Sequence, residues 1–122
     1  MGTGIAQVLA TAGHEVALYD TNPQALERAS QHLQKILNRL VEKGRLDDAT
    51  AKAIFGRIYF VDNIYGYKES ELIVEAIVED LDMKKDLFSR IESYISDDCI
   101  LATNTSSLSV AAIASACEQP ER

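Results

Sequence analysis

Apolar positions recur along the chain in two rhythms, and these divide it into helices and strands. After Met1-Gly2-Thr3-Gly4, the residues Ile5, Ala6, Val8, Leu9 and Ala12 follow helical spacing. Gly13 then stands where a helix C-cap glycine belongs. Val16-Ala17-Leu18-Tyr19-Asp20 is a short apolar run ending in a carboxylate, which predicts a buried strand. Asn22-Pro23 predicts a helix start, with Asn as N-cap and Pro at the first helical position. Leu26, Ala29, Leu33, Ile36, Leu37 and Leu40 give that helix one apolar face, and Gly44 ends it. A shorter helix is expected from Leu46 to Phe55, capped by Asp47 or Asp48 and closed by Gly56. Arg57 to Val61 is strand-like in its β-branched and aromatic content, and Leu72 to Val78 more strongly so. Asp80 to Ile95 repeats at helical spacing, Cys99 to Thr103 predicts another strand, and Leu108 to Cys117 a last helix.

Helices alternating with short apolar strands argue for an α/β chain with a parallel sheet wound on both faces. With 122 residues, 47% of them hydrophobic, the composition is that of one globular domain. A chain of this length buries roughly two-thirds of its unfolded surface. No internal repeat, low-complexity tract or Pro/Gly-rich linker divides it. The formal net charge of −7 argues against nucleic acid as a partner, because a phosphate backbone is held mainly by basic surface. No apolar run approaches the roughly 20 residues that a membrane-spanning helix needs, and no leader pattern is seen, so no membrane role is expected. Cys99 and Cys117 lack metal-ligand spacing, so no metal is expected; free thiols point to a reducing cytoplasm.

Candidate chemistry begins at Gly2-x-Gly4. Glycines opening a helix let a pyrophosphate approach the helix N-terminus, although two glycines can also be a plain turn. Asp20 strengthens the first reading. It ends the next strand, 18 residues after Gly2, where an acid accepts from an adenosine ribose and repels a 2′-phosphate, favouring NAD over NADP. The plainer alternative is that Asp20 only begins the turn before Asn22. Glu79 and Lys84 bracket the end of the strongest strand and the start of the following helix, at the carboxyl end of the sheet where ligands bind. Acids alone there would merely suit a helix N-terminus. A lysine in that first turn opposes the dipole and calls for another reason. Glu75 stands inside an apolar strand, where an unpaired carboxylate is costly. It either reaches the rim of the site or is hydrogen-bonded in the core, and no role is assigned to it. Asn104-Thr105-Ser106-Ser107 follows a strand directly; such residues cap helices, and Ser107 suits a helix start. No neighbouring base supports a nucleophilic serine. Arg28, His32, Lys35, Arg39 and Lys43 form a basic stripe roughly 120° from the apolar face of the long helix. A solvated face explains it as well as phosphate binding does.

Four segments carry a resemblance: MGTGIAQVLATAGHEVALYD, LVEKGRL, VEAIVEDLDMKKDLF and ILATNTSSLSV. Together they resemble the NAD-binding domain of the 3-hydroxyacyl-CoA dehydrogenases, nearest the bacterial 3-hydroxybutyryl-CoA type, over essentially the whole chain. The resemblance implies a Rossmann-like doubly wound parallel sheet. The family opens with a strand and Gly-x-Gly-x-Met-Gly, of which Met1-Gly2 matches the last two positions, so the first strand is expected to be lacking. That strand lies centrally in the fold. Without it, either the strands shift to close the gap or the chain forms a homo-oligomer through bare edges. The family's His-Phe-Phe-Asn-Pro motif with its catalytic histidine does not match His14 or His32, and its helical C-terminal domain is not represented. Residues 1–122 are thus expected to be a single, incomplete NAD-binding domain.

The resemblance also implies roles. Gly2, Asp20, Ala76, Glu79, Lys84 and Ser106 would bind NAD. Ser106 would also touch the acyl-CoA substrate, with Asn104 holding the catalytic region. Lys43 and Ser106 would serve coenzyme A. The implied reaction oxidises a 3-hydroxyacyl-CoA to the 3-ketoacyl-CoA in β-oxidation or related fatty-acid metabolism, with the isolated chain inactive. Two other readings stay open: a non-catalytic nucleotide-binding module, and another NAD-dependent dehydrogenase on the same fold.

Overall fold

The computed structural model describes residues 1–122. They form two compact units, one of Met1 and Thr3–Asn63, the other of Gly2 and Ile64–Arg122.

The first unit contains α1 (Gly2–Thr11, its first residue apart), β1 (Val16–Tyr19), α2 (Pro23–Glu42), α3 (Asp48–Gly56) and β2 (Ile58–Val61). Local signals act as expected. Gly13 and Gly44 take positive φ of 100° and 68°, a region open to glycine, and so release the chain after α1 and α2. The Asn22 side chain accepts from the Gln24 amide at 2.9 Å, and Asp47, rather than Asp48, accepts from the Thr50 amide at 2.6 Å. β1 and β2 pair in parallel, Val16 opposite Ile58. Leu33 and Leu37 of α2 bury against Ala6, Ala10, Ile54 and Ile58. Full burial of such a leucine is worth about 1.5–3 kcal/mol. This core fixes the carboxyl end of β1, where Asp20 follows.

In the second unit a 3₁₀ turn (Ile64–Tyr67), which the apolar pattern does not announce, precedes β3 (Leu72–Glu75), α4 (Leu81–Glu92), β4 (Ile100–Thr103) and α5 (Val110–Ala114). β3 and β4 are parallel, with Glu75 opposite Thr103 at their carboxyl ends. Ile73, Phe88, Ile91, Cys99 and Ile113 form the core. Three expected elements are shorter. β3 stops at Glu75 rather than Val78, because the Ile77 amide turns back to the Glu75 carboxylate at 2.7 Å and leaves the ladder. α4 ends at Glu92, short of Ile95. α5 starts at Val110 under Ser109, which accepts from the Ala112 amide at 3.2 Å. Leu108 is held instead in a turn by Thr105 Oγ1, at 3.0 Å from its amide.

Within each unit the two strands are parallel and linked through helices, as in a doubly wound fold, and they make two sheets of two strands each, β1–β2 and β3–β4.

Candidate functional site

In the first unit Asp20 is exposed just beyond β1. Its Oδ1 accepts from the Asn22 amide at 2.8 Å, so the carboxylate does begin the turn into α2. That bond uses one of the roughly four acceptor positions of a carboxylate and leaves capacity for a ligand. Gly2 is the first residue of α1, and no side chain caps that helix. Its first amides suit an anion, which the helix dipole also favours. Lys43 is the C-cap of α2, and Arg28, His32, Lys35, Arg39 and Lys43 are all exposed, so the basic stripe faces solvent.

The second unit holds the densest polar cluster, at the carboxyl ends of β3 and β4. Glu75 is 3% and Lys84 1% exposed. Burying two charges is costly unless they meet each other and satisfy their remaining hydrogen bonds. Here they do. Glu75 Oε1 accepts from Lys84 Nζ at 2.6 Å and from the Ile77 amide at 2.7 Å. Its Oε2 accepts from the Thr103 hydroxyl at 2.6 Å. Lys84 Nζ also lies 3.3 Å from Oε2 of Glu79, whose side chain is 39% exposed. The hydroxyl of Thr105 and that of Ser107, the latter at 3.1 Å, donate to Oε1 of Glu79.

These donors hold Glu79 ionised. The Thr105 hydroxyl, with help from Ser107 and Lys84 and against desolvation, lowers its pKa from 4.5 to about 2. A carboxylate whose pKa is depressed on folding stabilises the fold fully above its unfolded value. Glu79's contribution is thus present above pH 4.5 and is lost as the pH falls towards 2. Glu79→Gln is expected to flatten this part of the acid limb when urea midpoints are compared between pH 5 and pH 2. An unchanged slope would contradict the assignment.

The fold brings Glu79 and Lys84 together as their spacing suggested, but points Lys84 inward rather than to solvent. Ala76 lies in the β3–α4 loop beside them, Ser106 is exposed next to Thr105, and the Asn104 amide donates to the Glu75 carbonyl at 2.8 Å. Ser107 is not the helix cap that it resembles in sequence; Ser109 is, and Ser107 serves Glu79. Of the two readings of Glu75, core hydrogen bonding is the one realised. The acid within an apolar strand was the signal. Thr103, Thr105 and Ser107 gave none beyond their polarity. Among the residues of the chain no group of three or more His, Cys, Asp or Glu is placed to hold a metal ion.

Comparison with known proteins bears on what this cluster serves. Residues 1–122 match the sequence profile described as 3-hydroxyacyl-CoA dehydrogenase, NAD binding domain. A 3-hydroxybutyryl-CoA dehydrogenase of Clostridioides difficile is 40% identical over 122 residues, covering 100% of this chain and 43% of that protein. A fatty acid oxidation complex subunit alpha of Psychrobacter cryohalolentis is 32% identical over 121 residues, 99% of this chain and 17% of that protein. The crystal structure of a 3-hydroxybutyryl-CoA dehydrogenase from Escherichia coli K12 superposes with a TM-score of 0.96 at 39% identity, over 99% of this chain and 26% of that one. The chain thus spans less than half the length of these relatives. With parallel βαβ units, acidic groups after β1 and β3, and a match over every residue, the chain belongs to the NAD-binding domain family of the 3-hydroxyacyl-CoA dehydrogenases.

Proposed function

We propose that the chain is the cofactor-holding part of an NAD-dependent dehydrogenase that oxidises a 3-hydroxyacyl-CoA to the 3-ketoacyl-CoA, in fatty-acid or related acyl-CoA metabolism. The observation that carries this reading is Glu79. An exposed carboxylate, held ionised at the carboxyl end of a parallel strand pair, is a ready acceptor for vicinal ribose hydroxyls. The residues present fit the cofactor. Asp20 keeps acceptor capacity for an adenosine ribose, and the uncapped start of α1 at Gly2 suits a phosphate. NAD, when bound, supplies the hydride acceptor.

The chain's own residues bind and orient. Glu79 accepts ribose hydroxyls, and Ala76 passes the cofactor with its backbone. The exposed Ser106 hydroxyl donates to cofactor and acyl substrate, with Asn104 anchored beside it through the Glu75 carbonyl. Lys43, at the exposed end of α2, meets a coenzyme A phosphate. Cys99 and Cys117 as free thiols suit a cytoplasmic protein.

An NADH titration of the full chain, with NADPH beside it, tests the reading. NADH-selective binding is expected, because Asp20 would repel a 2′-phosphate. Asp20→Asn should weaken NADH roughly tenfold to a hundredfold, the worth of a charged hydrogen bond, and narrow the preference over NADPH. Equal affinity of the parent chain for both nucleotides would overturn the assignment of Asp20.

A further inference from the structure

Glu75 has no part in the reading above, yet it is the hub of the cluster. Its two oxygens tie four places in the chain: its own strand β3, the Ile77 amide in the β3–α4 loop, Lys84 in the first turn of α4, and Thr103 at the end of β4. Every one of these contacts is 2.7 Å or shorter. Lys84 is 1% exposed and turns its ammonium to two carboxylates, of which Glu75 is the inner. Its outward contact is Glu79 Oε2. The hydrogen bonds therefore run in series from a buried acid, through a buried ammonium, to an exposed acid.

We propose that Glu75 is a positioning residue for the cofactor: through Lys84 it aims the Glu79 carboxylate at the ribose hydroxyls that Glu79 accepts. The inference rests on the NAD reading given above and adds to it a residue that touches no ligand. Glu75 holds Lys84 Nζ in one place. Lys84 Nζ and the Thr105 and Ser107 hydroxyls then grip Glu79 from different sides, at Oε2 and at Oε1. An acceptor fixed in this way loses little freedom when a ligand arrives, which is the gain that preorganisation brings to affinity. Without the Glu75 anchor the ammonium has Glu79 as its one remaining carboxylate partner. It would draw that carboxylate inward, away from the ligand.

A double-mutant cycle on the full chain separates this role from a merely structural one, with NADH affinity read by fluorescence titration. Glu79→Gln is expected to weaken NADH roughly tenfold or more. Glu75→Gln, which keeps the shape of the side chain, is expected to weaken it roughly threefold to tenfold. The combination should be no weaker than Glu79→Gln alone, since an aiming residue has nothing to aim once its target is gone. Losses that multiply, or a Glu75→Gln chain that binds as tightly as the parent, would overturn the proposal. If Glu75→Gln does not fold, the apolar pair Glu75→Leu/Lys84→Met leaves no unpaired buried charge and takes its place in the cycle. Parent-like NADH affinity in that pair would likewise overturn it. If the parent chain itself binds no NADH, the NAD reading fails and this inference fails with it. That outcome is distinct from binding by the parent that Glu75 does not influence.

Discussion

Lys84→Met is expected to destabilise the chain by about 3–5 kcal/mol, measured by chemical denaturation at neutral pH, because removing one partner of a buried ion pair strands the other. The stranded group is Glu75. It would keep the Thr103 hydroxyl and the Ile77 amide but lose its counter-charge, in a place where its side chain is shut off from water. Methionine fills nearly the same space, so lost packing contributes little. The companion variant Glu75→Leu/Lys84→Met removes both charges and should recover more than half of the loss, since an apolar pair of similar volume carries no desolvation cost. If the single variant were as stable as the parent, the pair would contribute nothing to folding, and its burial would have to be explained by the site alone.

Phe88→Ala should cost a similar amount, about 3–5 kcal/mol, by the transfer and cavity contributions of a large core ring. Phe88 is on α4, one turn after Lys84, and packs with Ile73, Ile91, Cys99 and Ile113. It presses the helix that carries Lys84 onto the strand that carries Glu75. Its loss is therefore expected to weaken NADH binding as well as stability. Phe88→Leu, which keeps most of the apolar volume, should lose clearly less of both. A Phe88→Ala chain with parent-like denaturation would mean that the second core tolerates the cavity by collapsing.

Much of the fold was legible because its signals are local. Asn22-Pro23, Asp47, Gly13 and Gly44 set element ends through bonds or backbone angles that span a few residues, and these stand where the sequence puts them. Where longer contacts compete, sequence reading overshot. The run Leu72 to Val78 is apolar but for Glu75, and the strand ends there because its carboxylate, held by Lys84 and Thr103 from other elements, takes the Ile77 amide. Ser107 has the composition of a helix cap but turns to an acid 28 residues away, leaving Ser109 to cap.

The candidate site divides along the same line. Sequence by itself determined that acids follow β1 and β3, that a lysine opens α4, and that a hydroxyl-rich segment follows β4. Those positions depend only on spacing within elements. Tertiary structure alone decided that Lys84 points inward, that Glu75 is its partner, and that Thr105 and Ser107 hold Glu79 ionised. The reason is physical. A buried charge adopts whatever orientation satisfies its hydrogen bonds, and for these residues the satisfying groups lie on other elements, brought within reach by the parallel pairing of β3 with β4.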